Sequence, residues 1–227
     1  MPNIILSIES SGPICSVALH SDGVLLKHLF TNDPFAHGEK MAVFVNELLE
    51  GAGISVIDLA AVAVSEGPGS YTGLRIGVSL AKGLCYASGI PLIAIDTLQS
   101  LAFAMKQSLP QPGENAILLP MIDARRMEVY LAGYDWTLNK VIETIPVILD
   151  EHFKDTLEPK FKYYTGGNGA LKISESMGYP IEILPNIDFS ALNIGPLAWE
   201  HFKAKNFVSV SDFEPVYLKE FAVVLKK

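Results

Sequence analysis

The chain has 227 residues, more than one average domain and fewer than two full ones, so two small related lobes suit its length. It is 49% hydrophobic, with a mean hydropathy of +0.30. No stretch approaches the roughly 20 apolar residues that cross a bilayer, so no membrane role is expected. The formal charge is −8, only Arg75, Arg125 and Arg126 of the 17 cationic residues are arginines, and the lysines are scattered. This argues against unaided nucleic-acid binding, which gathers cations on one face.

Met1-Pro2-Asn3 leads straight into Ile4-Ile5-Leu6 without the basic and long apolar regions of an export signal. Cys15 and Cys85 form no C-x-x-C pair, so two free buried thiols in a reducing cytoplasm are expected. Three β-rich runs follow, over 4–10, 14–20 and 24–30, separated by Ser11-Gly12-Pro13 and Ser21-Asp22-Gly23, the chemistry of tight hairpins. Helical spacing runs over 37–51, with Met41, Phe44, Val45 and Leu48 on one stripe and Gly51 and Gly53 at its end. A buried strand is predicted over 59–64, a second helix over 72–88 and an apolar strand over 91–95, giving the order βββαβαβ.

The same order returns more weakly: strands over 116–122, 127–134 and 141–149, a helix from Asp150, a strand over 161–165, a helix from Asn168 and a strand over 181–184. Pro110-Gln111-Pro112-Gly113 marks the junction, and a last helix over 190–205 is expected to pack back on the first lobe. The division is therefore 1–108, 109–189 and a C-terminal helix with tail over 190–227. Lys203/Lys205 and Lys226/Lys227 read as solvated helix-end charge. Two βββαβαβ lobes suggest an α/β fold of the ribonuclease-H-like type seen in actin, Hsp70 and sugar kinases, an architecture that carries no activity by itself.

Between the fourth strand and the second helix stands Gly67-Pro68-Gly69-Ser70-Tyr71-Thr72-Gly73-Leu74-Arg75-Ile76-Gly77. It fits neither a Walker loop, which counted from Gly67 requires Gly-Lys where Thr72-Gly73 stand, nor a dinucleotide fingerprint, whose sixth-place glycine is Thr72 here. Two readings stay open. Gly67, Gly69, Ser70, Tyr71, Thr72 and Gly73 offer an anion contact at a helix start, or they are a tight strand-to-helix turn with Ser70 or Thr72 as N-cap. His20, His28, His37, His152 and His201 show no metal-ligand spacing, and neither Ser70 nor Thr72 has a nucleophile elbow around it. Asp123-Ala124-Arg125-Arg126 reads first as a charged hairpin turn and second as an adenylate or RNA contact.

Several ordered motifs together resemble the bacterial TsaB (YeaZ) family of threonylcarbamoyladenosine biosynthesis proteins. They are the Gly67 to Gly77 run, Cys15-Ser16-Val17-Ala18-Leu19, His37-Gly38-Glu39-Lys40, Asp123-Ala124-Arg125-Arg126-Met127-Glu128-Val129-Tyr130, Gly166-Gly167-Asn168-Gly169 and Pro215-Val216-Tyr217-Leu218. The resemblance implies a noncatalytic subunit that pairs with its catalytic relative TsaD and works with the ATPase TsaE. It also implies contact with tRNA only through that complex, and a homodimer when TsaD is absent. No cofactor is expected to bind tightly here; ATP and metal are expected on the partner subunits. Family members and active relatives usually carry Asp in the first-strand motif, where this chain has Ile8-Glu9-Ser10-Ser11, and the longer side chain would displace its oxygens from a metal's geometry.

The second helix is apolar almost all round, so it is expected to be covered on two sides. Sequence leaves open whether the rest of the chain or a partner supplies the second cover; the resemblance favours an intermolecular four-helix bundle. The interface residues expected on that basis are Met41, Val45, Leu48, Leu49, Ile76, Leu80, Gly83 and Leu84. The competing class is a stand-alone small kinase or ATPase using the glycine turn for phosphate.

Overall fold

The computed structural model describes residues 2–33, 36–110, 113, 115–174 and 177–218. Gln111 and Pro112 of the expected junction, and Lys226 and Lys227, lie outside the described residues. The first sheet contains β1 (Ile4–Glu9), β2 (Cys15–Ser21), β3 (Val24–Thr31), β4 (Ala61–Gly67) and β5 (Leu92–Asp96) in the order β3-β2-β1-β4-β5. The second contains β6 (Ala116–Asp123), β7 (Glu128–Tyr134), β8 (Lys140–Ile148), β9 (Lys162–Gly166) and β10 (Ile181–Ile183) in the order β8-β7-β6-β9-β10. In both, two antiparallel hairpin pairs lead into two parallel pairs, so the duplication of element order is a duplication of topology. This is the two-lobed ribonuclease-H-like architecture.

Helices α1 (His37–Ala52) and α2 (Tyr71–Ser88) cover one face of the first sheet. Gly53, in the left-handed region at φ 67°, ends α1 where the glycines predicted a stop. Helix α4 (Ala191–Lys203) covers the opposite face, its Ile194, Leu197 and Ala198 packing on Ile5, Ala61, Ala63, Ile93 and Ile95.

The sequence predicts no element over 97–108, where the structure has α3 (Thr97–Ser108). Its start is capped by Asp96, whose Oδ1 accepts from the amides of Leu98 (2.8 Å) and Gln99 (3.4 Å). Leu98, Leu101, Ala102 and Met105, one face at helical spacing, pack on Leu118, Tyr134 and Tyr164 of the second sheet. The helix is therefore a layer shared between lobes, and the unbroken run from strand into cap hides its start.

The two helices expected in the second lobe are corrected to 3-10 turns, Phe153–Thr156 and Ala170–Lys172. Pro159 follows the first closely, and Gly166-Gly167-Asn168-Gly169 precedes the second with Gly167 at φ 93°, so neither segment has the length or backbone to propagate a helix. That lobe is correspondingly thin on its outer side.

His20 on β2 is fully buried beneath α4, where a side chain on Gly195 would collide with the imidazole. Burial lowers its pKa to about 4, helped by the neighbouring His28 ring and opposed by a bond with the Leu192 backbone. Between about pH 6.5 and about 4 the unfolded chain therefore binds a proton that the native one does not, so stability is full above that window and lost as pH falls through it. Thermal melts are expected to show the midpoint dropping below pH 6.5, with a flatter profile in His20→Asn; an unchanged slope in the variant would assign the dependence elsewhere.

Candidate functional site

The lobes enclose a cleft of about 1000 Å³. One wall is the glycine turn and first turn of α2; the other is the β6–β7 turn with Asn168; Val216, Tyr217 and Leu218 enter from the C-terminal segment. Gly69, Ser70, Tyr71, Thr72 and Gly73 line it, whereas Gly67 does not, because the carbonyl of Val216 lies 2.6 Å from where its Cβ would be. Gly69 and Gly73 in turn lie against the carbonyls of Ser11 and Ser10. The Ser70 amide donates to the Ser11 carbonyl (2.6 Å), and the Ser70 hydroxyl caps α2 by accepting from the Gly73 amide (3.3 Å). Of the two open readings, close packing is what the glycines of this turn visibly serve, and Ser70 is the cap. Thr72 is exposed in the first turn of the helix.

In open α/β sheets, ligand chemistry gathers at the carboxyl ends of the strands. In the first sheet three acidic residues stand there, and the structure bonds two of them, Glu9 and Asp96, to neighbouring groups. Glu9 is fully buried, its Oε1 accepting from the Ser11 amide (2.6 Å), the Ser11 hydroxyl (2.5 Å) and the Ser65 hydroxyl (3.0 Å). Asp96 caps α3 and pairs across the lobes with Lys140 (2.7 Å) and the Tyr134 hydroxyl (3.2 Å). Glu66 is half-buried, and burial together with the Asp96 charge pushes its pKa up. Among the described residues no group of three His, Cys, Asp or Glu side chains is placed to hold a metal.

Burial also raises the Glu9 pKa, against the opposing serine bonds. A carboxyl raised in the folded state stabilises below its unfolded pKa and loses that contribution as pH climbs through the folded value. Glu9→Gln is therefore expected to melt higher than the parent at pH 8, with the advantage shrinking towards pH 4.5; a lower midpoint at pH 8 would contradict this reading.

Met41, Val45, Leu48 and Leu49, expected at a partner interface, are at most 6% exposed and belong to the core against the first sheet. They are corrected to supporting positions: the main stripe of α1 satisfies the lobe's own sheet first. Ile76, Leu80 and Leu84 are half-buried over that core, and Gly83 faces outward with no atom within 4 Å of its Cβ position. Around them Ala42, Val43 (45% exposed), Ser79, Tyr86 (87% exposed) and Ala87 form the outer face. Ala42 and Val43 on α1 and Gly83, Tyr86 and Ala87 on α2 thus remain exposed, since the C-terminal helix covers the opposite face of the sheet.

The segment 208–218 had no expected role beyond its motif. It straps the first lobe: the Val208 amide donates to the Leu92 carbonyl (3.0 Å), Lys82 Nζ donates to the carbonyls of Ser211 and Phe213 (3.2 and 2.8 Å), and the Val216 amide donates to that of Glu66 (2.7 Å). Tyr217 meets the Tyr71 ring with centroids 4.9 Å apart. The signal in sequence was Pro215-Val216-Tyr217-Leu218, but nothing local in it names Gly67 as its contact.

A family model described as TsaD, tRNA N6-adenosine threonylcarbamoyltransferase, matches residues 35–195. The tRNA threonylcarbamoyladenosine biosynthesis protein TsaB of Escherichia coli K12 is 31% identical, over 95% of this chain and 94% of that protein. TsaB of Haemophilus influenzae is 28% identical, over 95% and 93%. The solved structure of YeaZ from Pseudomonas aeruginosa is similar with a TM-score of 0.76 at 22% identity, over 95% of this chain and 100% of that one. A second Pseudomonas aeruginosa structure, described as similar to peptidase YeaZ, gives 0.80 at 24% identity, over 96% and 100%. These two structures bear on the fold.

Proposed function

The chain belongs to the TsaB family of tRNA threonylcarbamoyladenosine biosynthesis proteins, and we propose that it serves that pathway as a noncatalytic subunit docking on the catalytic relative TsaD. The observation that carries this reading is the outer face of α1 and α2, where Val43 and Tyr86 stand exposed beside an open Gly83. A small residue at the centre of an apolar helix face lets a second backbone approach closely, and side chains around it exclude water from the contact. The partner's helices complete a four-helix bundle there, and a second copy of this chain takes the same place when TsaD is absent.

The bonding of Glu9 supports the noncatalytic part. In an active member of this fold a first-strand acid faces the cleft to place metal and phosphate, whereas Glu9 turns back to its own loop and holds Ser11 and Ser65. Metal, ATP and the transferred threonylcarbamoyl group then belong to TsaD and TsaE, and tRNA is engaged by the assembled complex. The test is omission: purified chain, TsaD, TsaE, tRNA, ATP and threonylcarbamoyl-adenylate are combined and one component is left out at a time. Loss of modified adenosine without this chain, together with no ATP turnover by the chain alone, is the expected result. Full product formation in its absence would remove the assigned role.

A further inference from the structure

We propose that Arg125 and Arg126 form a contact for the phosphodiester backbone of RNA; the third arginine, Arg75, stands on α2 outside the cleft lining. The chain is acidic and owns only these three arginines. Among the described residues the ion pairs are made by lysines or His152, including Lys140, Lys162 and Lys172, while no arginine is paired with a carboxylate. Two adjacent guanidiniums without a carboxylate partner, on a molecule with surplus carboxylates, mark a site kept for an external anion. Arg125 and Arg126 line the cleft from the β6–β7 turn. Arg75 is engaged elsewhere, its guanidinium 4.3 Å over the ring of Tyr71.

The turn that presents the pair is fastened from behind. The Asp123 amide donates to Asn168 Oδ1 (3.0 Å), the Arg125 amide donates to Asp123 Oδ1 (2.6 Å), and Lys172 pairs with that same oxygen (2.6 Å). Lys172 therefore offsets the one carboxylate nearest the arginines; Glu128 is the other acid of the lining. Both arginines are exposed at the rim rather than enclosed. That placement suits a large polyanion passing the cleft mouth better than a small nucleotide held within it. Guanidinium forks pair with phosphate through two parallel bonds and are less strongly hydrated than ammonium.

The choice of RNA rests on the pathway reading above, so the experiment avoids the other subunits. With three arginines, the chain gives three assignable Nε–H signals in a 15N spectrum. Titration of the chain alone at low salt with an anticodon stem-loop RNA is expected to shift the Arg125 and Arg126 signals saturably, and added salt should reverse the shift. An Arg125→Gln/Arg126→Gln double variant with a parental melting temperature should bind about tenfold more weakly. Unmoved signals would overturn the proposal. So would equal shifts from AMP or inorganic phosphate at matched phosphate concentration, which would show a small-anion site instead. Because the omission experiment needs no arginine contact and this titration needs no TsaD, either reading can fail alone.

Discussion

Gly83→Glu is expected to abolish tight association with TsaD while leaving the isolated chain as stable as the parent or more so. Gly83 is interior to α2, exposed, and has no atom within 4 Å of its Cβ position, so a side chain there meets only solvent in the free chain. Replacing an interior helical glycine gains up to about 1 kcal/mol of helix propensity. At a close apolar contact the same carboxylate is desolvated without a partner and holds the helices apart. A loss of about 2–4 kcal/mol, or ~30- to 1,000-fold in Kd, is the scale of a central interface position. Leu80→Glu should act in the same direction, but Leu80 also packs on the lobe's core, so its effect on association is mixed with one on folding. Calorimetric titration against TsaD, paired with thermal melts, separates the two; parental affinity in a well-folded Gly83→Glu chain would place the interface elsewhere.

The second large effect concerns the glycine turn. Gly73→Ala is expected to destabilise the chain by about 2–4 kcal/mol, lowering the thermal midpoint by about 5–15 °C. Its Cβ would strike the carbonyl oxygen of Ser10 and come within 3.2 Å of that carbonyl carbon, both backbone atoms that cannot rotate away. The damage spreads because the Ser10–Ser11 loop also receives Gly69, the side chain of Glu9 and the Ser70 amide. Gly83→Ala, in the same helix and free of any contact, is the control and should hold or raise the midpoint. Equal behaviour of the two alanines would show that the turn does not need its glycine for packing.

How much of this was legible in the sequence differs by element. Strands β1 to β3 announce themselves through β-rich runs broken by Ser-Gly-Pro and Asp-Gly, signals that are local. Helices α1 and α2 are equally plain from 3.6-residue spacing and from their glycine and serine ends. Helix α3 was missed because Asp96 ends a strand and caps a helix at once, leaving no loop to mark the change. The second lobe's helices were overread: apolar residues such as Phe153 and Leu157 are buried, but their turn packs on the sheet without becoming a helix.

At the proposed docking face, periodicity located the two helices but not which strip each turns outward. Met41 and Leu48 look as available as Val43 until the sheet beneath them is in place. Long-range contacts were illegible for the same reason. Nothing near Gly67 in sequence announces Val216, some 150 residues later, and nothing near Arg125 announces Tyr71 on the far wall of the cleft.

A photocrosslinking amino acid at Tyr86, on the outer face of α2, with the same group at Val24 on the exposed edge strand β3 as its counterpart, tests most directly whether the chain meets TsaD through these helices. Irradiation of the reconstituted pair should give a TsaD adduct from position 86 and none from position 24. An adduct from position 24 with none from 86 would contradict the account.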